Sequence, residues 1–191
     1  NKLKLNTDKT ELMPVGSASR LKANTDMRVN PLPVLVKYLG VHLDQSLSLH
    51  DHISNVSRAC YLEIRRLSAI RPYLTEAAAA RLVSYFITCR LDYCNSIFFG
   101  LPVEEMNRLR RIQHSAARLV LKKRKFDHVT PMLQHLHWLP VSFRPQYKIA
   151  TLVYRHFEGT LPQYLSSQLT VHQPPRTLRS SSEKLLTLDR K

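Results

Sequence analysis

The chain has 191 residues, 43% hydrophobic and 8% aromatic, enough to bury a real core and too apolar for a disordered chain. Its 29 Lys and Arg against 14 Asp and Glu give a net charge of +15, which points to a polyanionic partner, nucleic acid first and an anionic membrane surface second; the plain alternative is a basic protein with no dedicated partner. Four glycines against eleven prolines argue against a glycine-rich β architecture, and no apolar run approaches the roughly 18 residues of a membrane span.

In chain order, residues 1 to 50 read as mixed structure. "TELMPVG" predicts a short strand. "PLPVLVKYLGVHLD" predicts a strand or hairpin edge closed by Gly40. After residue 48 the apolar period changes to that of a helix, with Ile53, Val56, Cys60, Leu67 and Ile70 on one face and Pro72 as the stop. Ser48 and Asp51 have the spacing of a capping box at its start. A second helix is predicted from the N-cap Thr75 through "EAAAARLVSYFITCRL". Gly100-Leu101-Pro102 then separates it from a third helix over about 103 to 122.

That third helix carries two stripes on one period. Leu109, Ile112, Ala116, Leu119 and Val120 are apolar; Arg108, Arg111, Arg118 and Lys122 are basic and lie beside the apolar stripe. From 101 to 125 there are eight Lys and Arg against two Glu. Such a row of cationic donors suits a phosphate backbone, whose neutralisation releases counterions; the plain alternative is a solvated helix face. Thr130-Pro131 predicts another helix start, followed by "MLQHLHWLP" with the single tryptophan Trp138. "VSFRPQYKIATLVYRHF" and "LPQYLSSQL" predict two more helices. From about 170 the chain becomes a Pro/Ser-rich basic tail, expected to be poorly ordered.

Catalytic signatures are missing from the sequence. It holds no GxxxxGK[ST], no G-x-S-x-G and no H-E-x-x-H, and its seven aspartates stand apart. Cys60, Cys89 and Cys94 are too few and too widely spaced for a disulfide framework or a zinc knuckle, and read as buried thiols in a reducing compartment. The pairs His50/His52 and His135/His137 are two apart, so neither is a natural helical chelate, and all four read as surface or interface histidines. The start lacks the apolar core and cleavage site of a secretory signal. The expected location is therefore intracellular, nuclear or cytoplasmic; "KKRK" at 122 to 125 is a weak nuclear signal. The chain begins with Asn1 and reads as a fragment.

The order of segments carries a resemblance. "LKLNTDKTELMPVG", "VKYLGVHLDQSLSLHDHI", "LDYCNSIFFGLP", "LRRIQHSAARLV", "DHVTPMLQHLHWLPVSFRPQYKI" and "LRSSS" follow one another as in the C-terminal part of a LINE-type non-LTR retrotransposon reverse transcriptase, nearest the jockey or chicken-repeat branch. The resemblance covers nearly the whole chain. It implies a mainly α fold: a small α/β remnant of a polymerase palm over 1–48, a helical thumb-like domain over 49–125, a helical extension over 126–169 and the tail over 170–191. It makes Lys9 a candidate for the phosphates of an incoming nucleotide, with an ordinary surface lysine as the alternative. Tyr38, Leu39 and Gly40 become the tip of a primer-grip-like hairpin. Arg108, Arg111, Arg118, Lys122 and Lys123, with Arg65 and Arg66 second, become backbone contacts to an RNA or RNA–DNA template–primer duplex, without sequence preference. "LDYCNSIFFGLP" becomes a scaffold joint. The family's magnesium-binding aspartates lie in palm motifs that this sequence does not contain, so the parent polymerises and this chain alone is expected not to. The alternative function is a stand-alone helical nucleic-acid-binding or scaffold protein derived from such an element.

Overall fold

A computed structural model describes residues 13–16, 19, 35–172, 176 and 185–187. It is mainly helical, with one two-stranded sheet. Strands β1 (Leu35–Tyr38) and β2 (Val41–Asp44) pair antiparallel, Tyr38 opposite Val41 and Leu35 opposite Asp44. The two-residue loop Leu39-Gly40 has positive φ at both positions (46° and 84°), as a type I′ turn requires. Glycine takes that conformation freely; leucine does not.

Helix α1 (His50–Ile70) follows. Its expected capping box does not form. Leu49 is the N-cap, in the left-handed region, and the free N–H groups of Ser48 and Leu49 are met by the Asp44 carboxylate at 3.1 and 3.0 Å. The Ser48 hydroxyl accepts from the His50 N–H (3.2 Å), so Asp44 at the end of β2 and Ser48 in the turn share the helix start. Ile70, expected on the apolar face, is exposed. Helix α2 begins at Glu76, where the Thr75 hydroxyl accepts from the N–H of Ala78. It runs as an α-helix to Val83, widens into a π turn over Ser84–Thr88 and closes with an α turn over Cys89–Asp92. Val83, Ile87 and Leu91 are all fully buried. Residues four apart drift by about 40° per step in an ideal α-helix; the wider π turn reduces that drift and keeps all three on the core side.

Helix α3 (Val103–Leu121) is the central element. Leu109, Ile112, Ala116 and Val120 are buried in one core with Val41, Ile53, Cys60, Leu67, Val83, Ile87, Leu91, Phe98 and Val141. This core takes residues from Val41 to Val141. Helices α4 (Thr130–His135), α5 (Arg144–Phe157) and α6 (Gln163–Ser166) complete the array. The N-cap of α4 is Val129, so Thr130 lies one residue inside the helix. Met132 and Leu133 of α4 pack on Ala117 of α3. The amide side chain of Gln113 is also buried, and clamps the chain before α5 by donating to the Leu139 carbonyl (2.8 Å) and accepting from the Val141 N–H (2.9 Å).

Four further expectations change. Of the cysteines Cys60 is buried, and burial pushes its thiol up to about 11; Cys89 and Cys94 are exposed. His52 is buried, not on the surface. In the tail, Val171 and Leu186 form an antiparallel bridge, with backbone bonds from His172 to Leu185 and from Thr187 to Thr170, so these described positions are paired. Met13–Gly16 form no strand; the rest of "TELMPVG" lies outside the described residues.

Candidate nucleic-acid interface

Helices α1 and α3 run parallel. Their starts are joined by His50 to Glu105 (2.7 Å) and by Arg108, which donates to Ser54 (2.9 Å) and Glu105 (3.0 Å). Their ends are joined by Arg71, just past α1. Its guanidinium donates to the carbonyls of Leu119 (2.9 Å), Val120 (2.5 Å) and Leu74 (2.7 Å). Arg71 is 7% exposed. Its charge is balanced by these carbonyls and by the negative end of the α3 dipole.

Two cavities open along the seam between these helices. One, of about 380 Å³, is lined by Ser54, Ser57, Arg58 and Tyr61 of α1 and Arg108 and Arg111 of α3. The other, of about 460 Å³, takes Ile64 and Ser68 from α1, Ser115, Arg118 and Leu119 from α3, and Lys122 and Lys123 just beyond it. Positions 54, 57/58, 61, 64 and 68 share one helical face, as do 108, 111, 115, 118 and 122. The two cavities therefore lie in line along the seam, which forms a groove between the helices. From Arg108 to Lys122 it extends about 21 Å at 1.5 Å per residue. No carboxylate lines either cavity.

The groove gathers Arg108, Arg111, Arg118, Lys122 and Lys123, five of the residues singled out on α3 and its end. Two of them also serve the fold: Arg108 holds the seam, and Arg118 donates to the Asp127 carbonyl (3.2 Å) while its Nε is buried without a partner. Arg111, Lys122 and Lys123 are exposed and make no side-chain bond among the described residues. Lys122 is also the αL C-cap of α3 (φ 50°). Arg65 and Arg66 line neither cavity, and Arg66 pairs with Glu63 (3.0 Å). From α1 it is Arg58 and Tyr61 that line the first cavity. His114, half-buried on the outer face of α3, is held below the usual histidine value by burial, then by Arg118 and Arg110.

"LDYCNSIFFGLP" acts as a joint in the fold. Leu91 and Phe98 enter the core. Asp92 accepts from Arg144 at the start of α5 at 2.8 Å. The Tyr93 hydroxyl donates to the Leu39 carbonyl at the hairpin tip, and its ring lies against Gly40, 3.6 Å from where a Cβ would stand. Tyr38 and Leu39 project from that tip, exposed. Lys9 lies outside the described residues. Among the described residues no three His, Cys, Asp or Glu side chains gather where they could hold a metal ion. No described helix is long and apolar enough to cross a membrane. No protein-family model, curated protein or solved structure matches the chain.

Proposed function

We propose that the groove between α1 and α3 grips the sugar–phosphate backbone of nucleic acid, and that the chain is the thumb-bearing part of a LINE-type reverse transcriptase. The observation that supports this reading is the composition of the groove. Cations stand on both walls, hydroxyls lie between them, and carboxylates are absent from the lining of either cavity. Such a surface neutralises phosphates and reads no base edges, which suits a polymerase that must hold any template–primer duplex. On this reading the hairpin tip at Tyr38, Leu39 and Gly40 is the primer grip, and Lys9 belongs to the nucleotide-binding side of the palm. Magnesium belongs to the parent's palm. The chain alone binds the RNA–DNA duplex without extending it.

The alternative, a stand-alone helical binding protein derived from such an element, is favoured by one feature. The apolar core closes across the expected boundaries, from Val41 to Val141, as it would in a self-sufficient folding unit. A parent transcript that runs in frame into an Asp-Asp turn upstream of Asn1 decides for the polymerase; a short product expressed alone decides for the binding protein.

The grip itself is tested by affinity for a short RNA–DNA hybrid across a salt series. The variant Arg58→Gln, Arg111→Gln, Lys123→Gln removes three groove cations that hold nothing in the fold. The expected result is a steep salt slope for the parent chain, reduced by roughly three in the variant at about 0.9 per duplex phosphate contact. Equal affinity and slope in both proteins would remove the groove as the binding site.

A further inference from the structure

Phe126 is 90% exposed, among the most exposed large hydrophobic side chains of the described residues. It follows four consecutive cations, Lys122, Lys123, Arg124 and Lys125. The turn that carries it is closed. The Asp127 carboxylate accepts from the Arg124 N–H (2.7 Å), the Asp127 N–H donates to the Arg124 carbonyl (3.2 Å), and the Asp127 carbonyl accepts from Arg118 on the groove wall (3.2 Å). The ring is therefore held out into solvent by a turn bonded to the groove, at the end where Lys122 and Lys123 line it. Lys125 Nζ stands 5.9 Å from the ring centroid, in cation–π range.

Covering a large apolar ring that stands in water is favourable. A stacked base would cover it, because every base presents a π face, and stacking platforms beside basic grooves recur where unpaired nucleotides are bound. We propose that Phe126 stacks an unpaired nucleotide at the end of the groove, so that the partner is nucleic acid with a single-stranded segment running past Lys122 and Lys123. Tyr61 is the corresponding aromatic at the other cavity, between Arg58 and Arg111. Charge complementarity selects this occupant: the ring is set among cations that a phosphate chain would neutralise. The inference rests on the backbone grip and adds to it which kind of nucleic acid the groove accepts.

The test uses the full chain with Phe126→Ala and Phe126→Trp and three probes: an unstructured single-stranded RNA, a blunt RNA–DNA hybrid, and vesicles containing phosphatidylserine. Phe126→Ala should weaken single-strand binding about tenfold, leave the salt slope unchanged and change hybrid affinity less than twofold. Phe126→Trp should restore the affinity, with its indole emission quenched on binding. Equal weakening on both nucleic acids, or on neither, overturns the stacking role while the salt-dependent grip stands. Vesicle binding that Phe126→Ala abolishes, with RNA binding untouched, would assign the ring to a membrane surface and overturn it. Loss of salt-dependent binding to every nucleic acid by the parent chain would overturn the grip and the stacking together.

Discussion

Among the described residues Arg71 pairs with no carboxylate, and its three hydrogen bonds all go to carbonyls. A planar fork can reach Leu119, Val120 and Leu74 at once; a single ammonium cannot. Removing the fork takes a donor from each of these carbonyls, two of them at the end of α3 and one just past α1. Arg71→Met should lower unfolding free energy by about 3 kcal/mol, and Arg71→Lys should recover only part of that, measured by urea denaturation. Lys122 presents the opposite case. It holds a left-handed conformation that a side chain resists, at a cost of roughly 1 kcal/mol. Lys122→Gly should stabilise the fold by about 0.5 kcal/mol, since glycine loses part of the gain to chain entropy. The same change should lower the salt slope of nucleic-acid binding by about one. Stability and binding moving in opposite directions would separate the cap from the contact.

Among the elements, α2 and α3 and the hairpin were legible because their signals are local. Thr75 precedes an alanine run, Pro102 precedes an amphipathic stretch, and Gly40 stands between two short apolar runs. The start of α1 was only partly legible: Ser48 accepts from the His50 N–H, but the partner of the Ser48 and Leu49 N–H groups is Asp44 before the turn and not Asp51 after it. The basic wall on α3 was legible for the same local reason. The facing wall on α1 was not, because pairing Ser54 with Arg108 depends on two parallel helices fifty-four residues apart in sequence. Asp44 offers a check on the junction. Burial alone would raise its carboxyl, but hydrogen bonds from Ser46 and from the N–H groups of Ser48 and Leu49 outweigh it and hold the group at about 2, below the ordinary 3.8. A depressed carboxyl contributes stability above its ordinary value and loses it as pH falls through its folded value. The urea midpoint should therefore fall between about pH 4 and pH 2 in the parent, and fall less in Asp44→Asn, which should start lower at neutral pH.

Over the whole molecule the two signs of charge have different work. Glu63 pairs with Arg66, Glu76 with His135, Asp92 with Arg144, and Glu105 with His50 and Arg108, while Asp44 and Asp127 hold backbone N–H groups. These carboxylates sit in joints between or within elements. The groove is left to cations, whose mutual repulsion opposes the compact state at low ionic strength. Salt should then act on the protein in two opposed ways: it screens the repulsion and stabilises the fold, and it competes with phosphates and weakens binding. Between about 0.05 M and about 0.5 M NaCl, where the Debye length shrinks severalfold, the melting temperature of the free chain should rise. The Arg58, Arg111 and Lys123 glutamine variant should melt higher than the parent at the low end and gain less across the range. Adding RNA at low salt should raise the parent's melting temperature by mass action, and the variant's by less. Equal salt stabilisation of both proteins would mean that the excess charge is spread evenly over the surface. A groove without concentrated charge would have no electrostatic hold on a phosphate backbone.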